Sequence, residues 1–152
     1  MSSFQFSSGF IFFLSFITIL FGCGCAPGTM QETFCQADWV SHVRVLAQQP
    51  STNPLQSAFT VQHIQIFKSP GGMMTLPQFV TTPINSAACG LPIMAGKDYL
   101  LSGTLQNNAL SSFSCGQLRP DNLIDPSMTV GLLPEWQQLP IGFVESLQVM
   151  QC

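Results

Sequence analysis

Ala58-Phe59-Thr60-Val61-Gln62-His63-Ile64-Gln65-Ile66-Phe67 is the stretch on which the fold turns. Its apolar residues alternate as Phe59 and Val61, then as Ile64 and Ile66, so the period-two pattern changes phase near Gln62-His63. A strand that changes phase carries a bulge or a strong bend, the device by which a small sheet closes on itself. Upstream, Trp39 to Ala47 reads as a partner strand, with Val43 and Val45 on one face and His42 and Arg44 on the other. Pro50, Asn53 and Pro54 mark the loop between the two. Downstream, Ser69-Pro70-Gly71-Gly72 is a turn and Leu76 to Thr81 a weaker strand, and Pro83 to Ala88 loops into Cys89-Gly90. Tyr99 to Ser102 and Leu110 to Ser114 read as the last two strands, joined through Asn107-Asn108. Beyond Cys115, Pro120, Pro126, Pro134 and Pro140 exclude one long helix, while Pro134 is placed to open a short one. Five short strands, a bulge and a helical tail predict an all-β, five-stranded OB-fold-like barrel, because a sandwich wants about seven strands.

The first 22 residues carry no charged side chain, and Phe10 to Phe21 is almost wholly apolar. That run is shorter than the ~20 residues of a membrane span. It fits a signal peptide cut after Gly22, although it lacks a basic n-region and has Leu20 three residues before the cut. The expected division is therefore a signal peptide over 1–22 and one domain over 23–152, secreted and free of the membrane once cut. All six cysteines, Cys23, Cys25, Cys35, Cys89, Cys115 and Cys152, fall in the second part. An even count in a secreted chain predicts three disulfides, and spacing alone leaves fifteen pairings open. No close second pair of cysteines suits a finger-type zinc site. Arg44, Lys68, Lys97 and Arg119 are scattered, so there is no footprint for nucleic acid.

Cleavage after Gly22 would make Cys23 a terminal residue with a free α-amine beside its own backbone carbonyl. Those two groups form a five-membered chelate with a metal ion. Other chemistry finds little support. His42 and His63 each stand alone in a strand, which suits surface or core polar roles. There is no Gly-x-Ser-x-Gly elbow, and no enzyme activity is expected. Met73-Met74 reads as loop packing. Leu20-Phe21-Gly22-Cys23 loosely resembles a lipoprotein processing site, but Phe21 is too bulky and lipidation would leave five cysteines, an odd number.

Cys23, Cys25, Pro27, Gln31, Phe34-Cys35, Asp38 and Val40 open the chain in the order of one known family. Phe79, Thr82-Pro83, Cys89-Gly90, Tyr99-Leu100-Leu101-Ser102-Gly103, Cys115, Pro120 and Cys152 continue that order. On these residues the chain resembles the N-terminal, netrin-like domain of the tissue inhibitors of metalloproteinases, in particular single-domain invertebrate-type members. The resemblance implies the pairings Cys23–Cys89, Cys25–Cys115 and Cys35–Cys152. By closing long loops, each would contribute ~3–5 kcal/mol. It also implies a monomeric extracellular inhibitor, at home in the extracellular matrix, with no cofactor of its own. Its partner would be a zinc metalloproteinase of matrix or adamalysin type, whose catalytic zinc takes the amine and carbonyl of Cys23. Gly24, Cys25, Ala26 and Pro27 would flank that contact, together with Asn85, Ser86, Ala87 and Ala88 in the same cleft.

Three positions depart from the family pattern. Gly24 stands where Thr or Ser usually enters the protease's S1′ pocket, which points to weak or selective inhibition. Gly28-Thr29-Met30 replaces a Pro-His-Pro segment and implies less rigidity behind the terminus. Asp121 replaces a tryptophan and implies altered packing at the barrel's base. A netrin-like module that binds without inhibiting is the alternative reading.

Overall fold

In the computed structural model, which describes residues 22–120 and 132–152, five strands close into a barrel in the order β1-β2-β3-β5-β4. They are β1 (Trp39–Gln49), β2 (Gln56–Lys68), β3 (Phe79–Pro83), β4 (Asp98–Gln106) and β5 (Ala109–Ser111). All neighbours are antiparallel except β3 and β5, which run parallel and close the barrel. Residues 1–21 of the expected signal peptide, and Asp121, lie outside the described residues.

The phase change in β2 is a bulge. His42 pairs with Gln65 and Val43 with His63, so Ile64 has no opposite number on β1. Phe59 and Val61 point into the barrel, and Ile66 packs against the same core beyond the bulge. Ile64 stays half exposed, because the extra residue re-aims the strand after it and not before. A second bulge skips Leu46 of β1 and a third skips Phe67 of β2. These long, bent first strands wrap around a core of Trp39, Val43, Val45, Val61, Val80, Tyr99, Leu101 and Leu110.

Several boundaries differ from the sequence reading. β3 begins at Phe79 and not Leu76: Pro77 has no N–H for a ladder, and its carbonyl accepts from His63 Nε2 at 2.9 Å. Leu76 nevertheless reaches the core. β5 ends at Ser111, after which Ser114–Gly116 tightens into a 3-10 turn. Asn107 and Asn108 both take positive φ (50° and 61°), the geometry of a two-residue hairpin turn. Pro134 opens no helix; a 3-10 turn follows at Trp136–Gln138, and the helix α2 (Ile141–Val149) starts behind Pro140.

The helix α1 (Met30–Gln36) has no counterpart in the sequence reading. Thr29 caps it: its Oγ1 accepts from Glu32 N at 3.1 Å, and Glu32 Oε2 accepts from Thr29 N at 2.8 Å. This capping box, worth ~1 kcal/mol, fixes the segment where the Pro-His-Pro of the family is missing. Met30 and Phe34 then join Val40, Leu100, Leu118, Phe143 and Leu147 in a second core between the helices and the barrel's outer wall. Val40 and Leu100 are therefore buried from outside the barrel, which is why the first half of β1 is covered on both faces.

His42 is buried and His63 half-buried. His63 Nε2 donates to the Pro77 carbonyl, and its Nδ1 lies 2.9 Å from Ser41 Oγ, which also reaches the Gln65 carbonyl at 2.9 Å. His42 stacks on Trp136 with ring centroids 3.8 Å apart, and its Nε2 lies 3.6 Å from Asp98 Oδ2, too far for a hydrogen bond. Asp98 is held by Arg44 through two bonds of 2.7 and 2.9 Å, which keep its carboxyl below the usual carboxylate range. Burial pushes both imidazoles below their ordinary value of 6.5. Because the unfolded chain then takes up protons first, stability is full above about pH 6.5 and declines as pH falls toward the folded-state values. The urea midpoint should thus drop between pH 7.5 and pH 5.5. His63→Gln should remove roughly half of that slope, one of the two protons involved. An unchanged slope in that variant would contradict the assignment.

Candidate functional site

Residues 22–29 run across one end of the barrel without regular structure. Two disulfides hold them there: Cys23 to Cys89, with Cα atoms 4.9 Å apart, and Cys25 to Cys115, with Cα atoms 5.1 Å apart. The third bond, Cys35–Cys152, ties α1 to the end of the chain.

The anchor Cys89 is itself placed by the turn before it. Asn85 Oδ1 accepts from Ala88 N at 2.9 Å and caps the 3-10 turn Ser86–Ala88. Cys89 follows in the left-handed region (φ 64°), and Gly90 N donates back to the Asn85 carbonyl at 2.8 Å. Ser114 grips the same point from the other side, donating from N to the Cys89 carbonyl and from Oγ to the Gly90 carbonyl. Cys115 is fixed through its neighbours. Gln117 Nε2 donates to the carbonyls of Ser102 and Phe113, and Ser102 Oγ donates to the Gly116 carbonyl at 2.6 Å. Cys115 thus hangs from β4, and Cys89 from the Asn85 turn and Ser114, by buried and half-buried hydrogen bonds that resist deformation because breaking one strands a polar group.

On this frame the two candidate segments become neighbours. The Cys23–Cys89 bond brings exposed Gly24 to the end of exposed Asn85–Ala88. Ala26 and Pro27 are also exposed, while Cys23 and Cys25 are half buried. A Cβ built on Gly24 meets nothing within 4 Å, so a larger side chain fits without disturbing the fold. Gly22 is equally open. Two exposed apolar residues that sequence reasoning did not pick out, Leu55 and Ile84, adjoin this end, linked by Ile84 N to the Leu55 carbonyl at 3.0 Å. Their only sequence signal is an apolar residue beside Pro54 and another beside Pro83, which is indistinguishable from core packing.

Cys23, Cys89 and Cys115 place three sulfurs within 4.8 Å of one another. Each sulfur is already spent in a disulfide, so the cluster presents no thiolate to a metal. What this end of the molecule offers chemically is backbone, in an exposed and doubly tethered segment. Among the described residues, no helix is long and apolar enough to cross a membrane.

The chain is similar in sequence to known proteins. The chain is 36% identical over 148 residues to the Caenorhabditis elegans protein named "Putative metalloproteinase inhibitor tag-225", covering 90% of this chain and 91% of that one. It is 29% identical over 93 residues to the Drosophila melanogaster "Tissue inhibitor of metalloproteinase", covering 60% of this chain and 44% of that protein. The family described as tissue inhibitor of metalloproteinase matches residues 22–136, from the tethered segment through all five strands to the turn at Trp136. On that match, the chain belongs to the tissue inhibitor of metalloproteinase family.

Proposed function

We propose that the chain is a secreted, non-enzymatic, monomeric inhibitor of a zinc metalloproteinase, acting once residues 1–22 have been removed. The α-amine and carbonyl of Cys23 bind the protease's catalytic zinc, in the position its water otherwise fills. The amine must be neutral to ligate, and its reference pKa is ~7.7–8.0, so binding releases a proton and weakens in acid. Gly24 lies at the mouth of S1′, flanked by Cys25 to Pro27 and by Asn85 to Ala88. The observation that supports this most is the Cys23–Cys89 bond. It fixes the segment to be presented, before any partner arrives, next to an exposed loop that is itself capped. Pre-ordering of this kind lowers the entropic cost of docking.

Mass analysis of the secreted protein's N-terminus, followed by an inhibition panel of matrix and adamalysin-type proteases, tests the reading. A terminus starting at Cys23 with inhibition of at least one member is the expected result. Correct processing with no inhibition across the panel would favour the second reading, a netrin-like binding module. Gly24 is what supports that alternative, since it leaves S1′ unfilled. For the same reason, Gly24→Thr should tighten inhibition of matrix metalloproteinases about tenfold, from burying one small side chain worth ~1.5 kcal/mol. The empty space around Gly24 means the fold should not change. No gain in potency would show that this position does not enter S1′.

A further inference from the structure

The two disulfides at the tethered end touch each other. Cys115 Sγ lies 3.7 Å from Cys23 Sγ and 3.8 Å from Cys89 Sγ, which is sulfur–sulfur contact. Neither pair is a hydrogen bond, because no sulfur here carries a proton. Cys115 also lines an open groove of about 440 Å³ with Pro27, Glu32, Phe113 and Gly116. That is comparable with the ~300–1,000 Å³ of sites that admit small ligands. The groove reaches the Cys115 end of one bond, and the other bond lies beside it. Cys115 Sγ is nearly equidistant from Cys23 Sγ and Cys89 Sγ, so a turn of the Cys115 side chain, free once its own bond opens, is what lines it up with either sulfur.

We propose that Cys23–Cys89 and Cys25–Cys115 form a single thiol-exchange site for low-molecular-weight thiols. A dithiol first reduces Cys25–Cys115: that S–S bond breaks, the dithiol closes to its own cyclic disulfide, and two protein thiols result. The Cys115 thiolate then attacks a sulfur of Cys23–Cys89. Attack on Cys89 forms Cys89–Cys115 and expels Cys23 as a thiolate, which takes up a proton. Attack on Cys23 forms Cys23–Cys115 and expels Cys89. No further electrons are consumed, so a net two-electron reduction is redistributed over four sulfurs. Opening Cys23–Cys89 first leads to the same products, since both of its sulfurs face Cys115. In the Cys89–Cys115 product Cys23 and Cys25 are both free, and one reduction has untied the whole terminal segment from the barrel. The exchange itself is independent of the inhibitory reading; only its consequence for a protease rests on that reading.

The test uses the folded, oxidised protein. A phosphine at pH 3 gives two-electron-reduced chains in which thiols are protonated and exchange is arrested. A jump to pH 8 starts exchange, and alkylation with peptide mapping then reads the bonds. The expected result is Cys89–Cys115 or Cys23–Cys115 in roughly half of the two-electron-reduced chains, with Cys35–Cys152 intact. If Cys23–Cys89 and Cys25–Cys115 are the only cluster bonds found after the jump, the proposal fails. It fails equally if Cys35 or Cys152 joins the new bonds to the same extent, because that is scrambling through unfolding. Cys25→Ser leaves Cys115 free from the start and should show the same two bonds without reductant. Should that variant not fold, the wild-type pH jump still decides.

Discussion

A protein secreted with one extra residue in front of Cys23 is expected to lose inhibition by on the order of a thousandfold, while its fold stays intact. The extra residue turns the Cys23 amine into an amide. An amide nitrogen has its lone pair committed to resonance, so the five-membered chelate loses one of its two arms. A bound metal polarising an oxygen ligand is worth several kcal/mol, and ~4 kcal/mol corresponds to about a thousandfold in affinity. The extra residue also occupies the space where the protease's own zinc ligands must approach. The fold has no reason to respond, because Gly22 is exposed and nothing lies within 4 Å of a Cβ built on it. Stability should therefore agree with that of the correctly processed form within ~0.5 kcal/mol. Inhibition constants and urea midpoints measured on both forms provide the check. Equal inhibition by the two would rule out chelation by the terminus, whatever else the family match implies.

The parts of this architecture that were legible beforehand are those written in local patterns. The change of phase around His63 announced a bulged strand, and the structure has the bulge at Ile64, one residue on. Asn107-Asn108 carries its own turn chemistry, so the β4–β5 hairpin could be placed from two residues. Other features are set by distant partners. Leu76 reads as strand because it is apolar and buried, yet Pro77 beside it gives its carbonyl to His63, fourteen residues upstream. The helix α1 escaped notice because its apolar residues, Met30 and Phe34, make only one i,i+4 pair within seven residues, while the capping box Thr29…Glu32 was present to be read. At the site, Cys23-Gly24-Cys25 stands out by itself, but spacing left fifteen pairings open, and it is the fold that sets Cys89 beside Cys23. Leu55 and Ile84 adjoin that end through a backbone bond between two loops, which no periodicity encodes.

Gly90→Ala should damage both stability and inhibition, and the contrast with Gly24→Ala isolates why. A Cβ on Gly90 would fall 2.1 Å from the Pro83 carbonyl oxygen and 2.7 Å from that of Asn85. Both are backbone atoms, so no flexible side chain can swing away. Relief requires moving the end of β3 or the Asn85 turn. The second route breaks the Gly90 N to Asn85 bond of 2.8 Å and disturbs Cys89, whose left-handed conformation depends on that turn. Overpacking alone costs ~1–3 kcal/mol, and a stranded backbone group adds ~1–3 kcal/mol more. For a domain of this size the sum corresponds to a fall in melting temperature of roughly 10 °C or more. The same displacement carries the Cys23 anchor with it, so inhibition should weaken even at temperatures where the variant is fully folded. Gly24→Ala adds the same methyl group at a place where nothing lies within 4 Å, and its melting temperature should match the wild type. Thermal melts of the two variants, paired with inhibition assays well below either transition, separate the contributions. If Gly90→Ala melts normally, the Asn85–Gly90 turn is not as tightly packed as described. If it melts early yet inhibits normally when folded, the loop at 85–88 is not held by the same contacts that place Cys23. A loss of both, beside an unaffected Gly24→Ala, ties the inhibitory end to the close approach of Gly90 to the Pro83 and Asn85 carbonyls.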